Sequence, residues 1–195
     1  MESAITIAIL AGGAAARLGG RDKGLELLGG RPLVAWVVAA LPRDAQWLIV
    51  ANRHIDVYGA YAPTVSDAIA GYAGPLAGIA AALAACGTPY LATLPVDCPA
   101  PPANLVPRLL DALRARAVDA CVVHDGERRQ PLFALYRREL AVSAAAAATR
   151  CGSVGEWQGA IGAIELDFAD QRRQFRNLNT AEDFIAYADE HGLVH

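Results

Sequence analysis

The chain has 195 residues, a formal net charge of −3 and a hydrophobic share of 54%, much of it alanine. That length suits a single domain over residues 1–195, and the slight negative charge excludes a protein that tracks a nucleic-acid backbone. No uninterrupted apolar run reaches the roughly eighteen residues of a membrane span, so neither a membrane nor a nucleic acid is an expected partner.

Taken in chain order, residues 4–10 (AITIAIL) are preceded by Glu2 and by no Lys or Arg, so they read as a buried first strand rather than a signal-peptide core. The β-branched run from Ile5 to Leu10 suits a strand covered on both faces of a parallel sheet. Pro32 fits the first turn of a helix, whose apolar side LVAWVVAAL ends before Pro42. WLIVA (47–51) is the next strand, and ANRHIDVYGAYAP reads as a polar, aromatic turn region leading to a short strand around Val65 that ends at Asp67. GYAGPLAG (71–78) opens an alanine-rich helix to about Ala85, and YLATLPVD (90–97) is a strand ending in a carboxylate. A helix over 105–116, strands at 119–125 and 132–137, helical propensity over 138–149 and a helical turn at Val154–Gln158 follow. Residues 161–168 read as a strand near the sheet edge, and Thr180 with Asp183 forms a capping box for a last helix that closes at Gly192. Trp36, Val37, Leu41, Phe133 and Phe168 are assigned to the core.

The alternation predicts an open α/β fold, Rossmann-like, with a mostly parallel sheet between two helix layers. Ligands in such sheets bind beyond the strand C-termini, where Leu10, Asp67 and Asp97 are expected. Four cysteines, at 86, 98, 121 and 151, form no C-x-x-C pair and have no histidines at zinc-site spacing. They read as reduced packing residues of a cytoplasmic protein.

One stretch carries chemistry. LAGGAAARLGGRDKG (10–24) holds five glycines, Arg17, Arg21 and Lys23, the single lysine beside sixteen arginines. Gly12 and Gly13 let the backbone turn and present N–H groups to an anion, and an ammonium is a compact charge that settles between phosphate oxygens. Neither the P-loop spacing nor the dinucleotide-binding G-x-G-x-x-G is present. The bland alternative is a surface lysine in an arginine-biased chain. Asp97 in turn reads either as a strand-end ligand or as a helix N-cap before CPAPPAN, and Asp67 either as a nucleotide contact or as a turn residue.

LAGG-x-x-x-R-L-G-G-x-D-K-G, with GRPL at 30–33, ANRH at 51–54, Ser66-Asp67, GPLAG at 74–78, LPVDCP at 94–99, HDGERRQPLFAL at 124–135 and NLNTAEDF at 177–184, resembles the molybdenum cofactor guanylyltransferases. The resemblance runs from about residue 5 to residue 187. It implies a nucleotidyltransferase-type fold and a magnesium-dependent enzyme that transfers GMP from GTP to molybdopterin, releasing pyrophosphate. It places nucleotide contacts at Leu10, Ala11, Gly12, Gly13, Lys23, Asp67 and Asp97, with Asp97 as the magnesium ligand and Gly74 and Gly78 against the guanine. Lys23, Arg17 and Asp97 are the catalytic candidates. Two departures stand out: Ala15 where family members often carry serine, and Val50 where some carry asparagine.

Because the acceptor is already a phosphate monoester, attack on the α-phosphorus of GTP needs no base, only two anions held in line with their charge neutralised. The second substrate needs another polar patch. HDGERRQP supplies His124, Arg128, Arg129 and Gln130, which read either as pterin and phosphate donors or as a solvated hairpin. The resemblance adds Asn177 and Asn179, which could equally be turn residues, and molybdoenzymes or pterin-delivery proteins as further partners. Two alternatives stay open: a cytidylyltransferase or sugar-phosphate nucleotidyltransferase of the same fold, and a non-catalytic nucleotide- or pterin-binding partner.

Overall fold

The structure is a computed structural model and describes residues 5–11, 22–43, 45–67 and 74–193. Gly12, Gly13, Ala15, Arg17 and Arg21 therefore lie outside the described residues. The elements in chain order are β1 (Ile5–Leu10), β2 (Leu27–Leu28), β3 (Arg31–Pro32), α1 (Leu33–Ala40), β4 (Gln46–Val50), α2 (Ile55–Gly59), β5 (Thr64–Val65) and α3 (Pro75–Ala85). They continue with β6 (Tyr90–Pro95), α4 (Leu105–Ala115), β7 (Ala120–His124), β8 (Arg129–Arg137), α5 (Ala141–Thr149), α6 (Val154–Ala160), β9 (Ile164–Asp167) and α7 (Ala181–His191).

Seven strands form one sheet in the order β5-β4-β1-β6-β8-β7-β9. Only β8 runs against its neighbours; the other pairings are parallel. Register brings the strand ends level, because Leu10 pairs with Val50 on one side and with Pro95 on the other. The ladder continues one step beyond the strands, where Ala11 N donates to Val50 O (2.9 Å) and Val96 N donates to Leu10 O (3.1 Å).

Apolar side chains cover both faces. One face packs Ile7, Ile9 and Ile49 against Val34 and Val37 of α1, Tyr58 of α2 and Leu105, Leu109 and Leu113 of α4. The other packs Ala8, Leu10 and Val50 against Leu76, Ile79 and Leu83 of α3, Ala144, Ala147 and Ala148 of α5 and Trp157 of α6. Each large apolar side chain so buried contributes about 1.5–3 kcal/mol. A third cluster of Leu28, Leu33, Leu178, Tyr187 and Ala188 ties the β2–β3 hairpin to α7.

Sequence patterns locate most elements, with three corrections. Residues 55–59, read as part of a turn region, form α2, whose N-cap His54 is left-handed (φ 52°) and makes no side-chain cap. Pro32 is the N-cap of α1 rather than a first-turn residue. The strand expected at 132–137 begins at Arg129, so Arg129 and Gln130 lie in β8 and the connecting hairpin is shorter. That hairpin is closed by Asp125, whose Oδ1 accepts from Glu127 N and Arg128 N (2.9 and 2.8 Å). Gly126 takes φ 93°, and a Cβ there would meet Ala169 Cβ at 2.8 Å, so glycine fits on both counts.

Candidate functional site

The level ends of β1, β4 and β6 form a ledge, and the chain after each strand supplies polar groups to it. Asp97 stands two residues past β6, where Asp97 O accepts from Leu178 N (2.9 Å), so the 175–179 segment runs alongside it. On the other side, Lys23 opens a 3-10 turn over Lys23–Leu25 that is N-capped by Asp22, whose side chain accepts from Gly24 N. From this turn Lys23 Nζ donates to Asp97 Oδ2 at 2.9 Å and to Asn179 Oδ1 at 2.7 Å. Residues 74 and 156 positions from Lys23 thus meet on one ammonium.

The side chains of Lys23 and Asp97 are 27% and 16% exposed, which makes the pair accessible to a ligand yet partly desolvated. An ammonium has three N–H donors; two are engaged among the described residues. Two buried oxygens in the same stretch, Asp97 Oδ1 and Asn177 Oδ1, have no hydrogen-bond partner among the described residues. A buried acceptor left unpaired costs about 1–3 kcal/mol, and oxygen donors of this kind suit a hard divalent cation. No group of three or more His, Cys, Asp and Glu able to hold a metal occurs among the described residues. A cation here would complete its shell with water and phosphate oxygens, the usual habit of magnesium.

The remaining nucleotide candidates distribute as follows. Asp67 lies two residues beyond β5 and is clamped at two points: Asn52 Nδ2 donates to Asp67 Oδ2 (2.9 Å), and Asp67 N donates to Asn52 Oδ1 (3.0 Å). Leu10 O and Ala11 N are engaged in the sheet extension, and Ala11 is half-buried against the core. Gly74 is the N-cap of α3. Gly78 lies in that helix facing the sheet, where a Cβ would approach Val50 Cγ1 to 3.2 Å. Its smallness lets α3 sit close to β4.

The second patch divides. Arg128 and Gln130 line a cavity of 810 Å³ together with Arg172, Arg173, Phe175 and Arg176, and the acidic Asp125, Glu127 and Glu190 share its wall. Gln130 is buried and its Nε2 donates to Asp125 Oδ2 at 2.6 Å, so it shapes the wall. By strand alternation His124 belongs to the opposite face of the sheet from Asp125. There His124 Nδ1 accepts from Gly126 N at 3.2 Å, and Arg129 pairs with Glu165 at 3.4 Å, its buried Nε and Nη2 lacking partners among the described residues. His124 and Arg129 do not line the cavity.

Sequence reasoning missed the arginines of the cavity wall. Arg172, Arg173 and Arg176 fall within five residues, just before the Asn177–Asn179 motif, and that density was the available signal. Arg172 pairs with Glu127 (2.5 Å), and Arg176 Nη1 reaches both oxygens of Glu190 (2.8 Å each). Phe175 fixes the segment by edge-to-face packing on Phe133 and Phe168, at 5.0 and 5.5 Å between ring centres. Each such contact contributes about 0.5–1.5 kcal/mol beyond burial. The 175–179 segment therefore faces the cavity at one end and Lys23 at the other.

Comparison with known proteins adds sequence and fold relatives. The family model for the MobA-like NTP transferase domain matches residues 7–160. The chain is 38% identical over 187 residues to the molybdenum cofactor guanylyltransferase of Shewanella loihica, covering 93% of this chain and 94% of that one. It is 36% identical over 188 residues to the protein of the same name from Mannheimia succiniciproducens, covering 94% and 98%. In fold it is similar to the crystal structure of molybdopterin-guanine dinucleotide biosynthesis protein A from Archaeoglobus fulgidus, with a TM-score of 0.80, 20% identity and coverage of 97% and 100%. The 2-C-methyl-D-erythritol 4-phosphate cytidylyltransferase of Thermus thermophilus shares the fold at a TM-score of 0.69 and 19% identity, over 98% and 100% of the two chains.

Proposed function

The chain belongs to the MobA-like NTP transferase family, and from that membership and its site we propose that it transfers GMP from GTP to molybdopterin. The observation that carries the proposal is the meeting of Lys23, Asp97 and Asn179 on the ledge beyond β1 and β6. A lone lysine engaged by a strand-end carboxylate, with one N–H donor unengaged among the described residues, suits a triphosphate.

In this reading a phosphate oxygen of the acceptor forms a bond to the α-phosphorus of GTP while the bond from that phosphorus to the β-phosphate bridge breaks, and pyrophosphate departs with both electrons. No proton has to be removed from the attacking oxygen, so no histidine is assigned to the step. Lys23 holds the triphosphate and neutralises charge that grows on it, and Asn179 fixes the direction of the ammonium. Asp97 Oδ1 and Asn177 Oδ1 would hold magnesium, which when bound supplies a second positive charge to the phosphates. Asp67, clamped by Asn52, borders the nucleotide side with Leu10, Ala11 and Gly74, whereas Gly78, buried against Val50, acts by letting α3 seat close to β4. Gly12, Gly13 and Arg17 complete the proposed phosphate loop.

Four arginines, Arg128, Arg172, Arg173 and Arg176, against three carboxylates, Asp125, Glu127 and Glu190, leave the cavity wall with a small positive excess for an anionic acceptor, which would compete with the Arg172–Glu127 and Arg176–Glu190 pairs. A bidentate guanidinium suits a phosphate monoester, and the 175–179 segment would bring that phosphate toward the nucleotide. His124 and Arg129 sit on the other face of the sheet, bonded to Gly126 N and Glu165, and are assigned no contact with the acceptor.

The test is to supply the protein with magnesium, molybdopterin and each of GTP, CTP, ATP and UTP in turn, and to measure pyrophosphate release. Release with GTP well above the other three is expected. Preference for CTP, or GTP binding without pyrophosphate release, would overturn the proposal.

A further inference from the structure

Tyr58 has no solvent exposure, yet its hydroxyl is committed to a charged partner. Tyr58 Oη donates to Asp22 Oδ1 at 2.5 Å, and the same oxygen accepts from Gly24 N at 3.2 Å. Asp22 is the N-cap of the turn that carries Lys23, so one carboxylate oxygen ties that turn to α2. The packing has no slack. A Cβ on Gly24 would stand 2.3 Å from Tyr58 Oη and 3.1 Å from Val96 Cγ2, and Val96 immediately precedes Asp97. Phenylalanine would fill the same volume in the core; the hydroxyl adds a directed, charge-assisted bond, of a class roughly twice as strong as neutral hydrogen bonds. Burial, then the Asp22 bond, raises the Tyr58 pKa far above the ordinary phenol value, so the hydroxyl remains a donor at physiological pH.

We infer that Tyr58 is a positioning residue for Lys23: its hydroxyl fixes the Asp22 carboxylate, which fixes the turn from which the ammonium reaches Asp97 and Asn179. Tyr58 touches no substrate; its effect passes through Asp22 and Lys23. The inference rests on Lys23 serving as the cation for the triphosphate.

The experiment is a double-mutant cycle on kcat/KM for GTP and on GTP affinity by calorimetry, using Tyr58→Phe, Lys23→Ala and the pair. Tyr58→Phe is expected to lower kcat/KM about tenfold in the wild-type background and less than about twofold in the Lys23→Ala background, as required of a residue that works through Lys23. Asp22→Asn keeps an oxygen that can accept from Tyr58 and Gly24, and should stay within about threefold of wild type. Tyr136→Phe is the control: Tyr136 is equally buried, bonded to Gln158 at 2.6 Å, and belongs to the opposite core. Its loss should lower the melting temperature and leave kcat/KM unchanged.

An unaltered kcat/KM in Tyr58→Phe, with Lys23→Ala strongly impaired, overturns this inference alone. An equal effect of Tyr58→Phe in both backgrounds also overturns it. A Lys23→Ala protein of normal activity overturns the proposed function as well. Should Tyr58→Phe fail to fold, Asp22→Ala breaks the same link from the turn side and is held to the same pattern.

Discussion

Replacing Asp97 by asparagine separates charge from shape at the centre of the ledge. The amide is nearly isosteric, and its oxygen can still accept from Lys23 Nζ, now 2.9 Å from Asp97 Oδ2. Exposed ion pairs contribute about 0–1 kcal/mol, and breaking a fully buried pair costs about 3–5. With side chains 27% and 16% exposed, this pair lies between those limits. Because a hydrogen bond survives, the expected loss of folding stability is about 1 kcal/mol. The rate is another matter. The negative charge at Asp97 is proposed to hold a cation whose field acts on the transferring phosphoryl group, and losing about 3 kcal/mol of that stabilisation lowers turnover by at least roughly a hundredfold. Steady-state pyrophosphate release with saturating GTP and molybdopterin measures the rate, and urea unfolding measures the stability. Turnover within about threefold of wild type would refute the argument that this charge is needed in the transition state. A loss of about 4 kcal/mol of stability would assign Asp97 to the fold instead.

Two further outcomes follow from buried titratable groups. Burial pushes the Asp125 pKa up, but hydrogen bonds from Arg128 N, Gln130 Nε2 and Glu127 N outweigh it and hold the carboxyl below its ordinary value. Its contribution to stability is therefore complete above the unfolded-state pKa of about 3.9 and is lost as pH falls through the lower folded value. Urea unfolding at pH 6 and pH 3 should show wild type well above Asp125→Asn at the higher pH and the gap narrowing at the lower; a gap that is constant with pH contradicts the assignment. Burial also pushes the Cys98 thiol up to about 12, with Asp97 adding to the shift, and the Cys121 thiol up to about 11. Cys86 is buried as well and Cys151 is exposed. A disulfide reagent at pH 8 should accordingly titrate one thiol in the folded protein and four in denaturant, and rapid labelling of Cys98 would contradict its burial.

Local rules in the sequence determined what short stretches of chain do. The apolar run from Ile5 to Leu10 became a strand buried on both faces, because a residue flanked by parallel neighbours and two helix layers has no solvent side. Thr180 and Asp183 cap α7 reciprocally, Thr180 Oγ1 accepting from Asp183 N at 3.2 Å and Asp183 Oδ2 accepting from Thr180 N at 2.9 Å. Such a box spans four residues and needs nothing from the rest of the chain. The strand-end positions of Leu10, Asp67 and Asp97 were legible for the same reason.

Tertiary structure decided which of these ends share a hydroxyl, an ammonium or a cavity. Helix α2 escaped detection because its N-cap makes no side-chain bond; the buried ring of Tyr58 anchors it, and that ring's value depends on residues far away in the chain. HDGERRQP looks like one cationic patch when read as a line, yet alternation along β7 and β8 separates Gln130, on the cavity side, from His124 and Arg129 on the other face, and Arg128 reaches the cavity from the hairpin. Lys23, Asp97 and Asn179 come together because β1 lies beside β6 in register and Leu178 bonds to Asp97. Sequence periodicity records the surroundings of each residue within a turn or two, whereas contacts across 74 and 156 positions exist only once strand order and register are set.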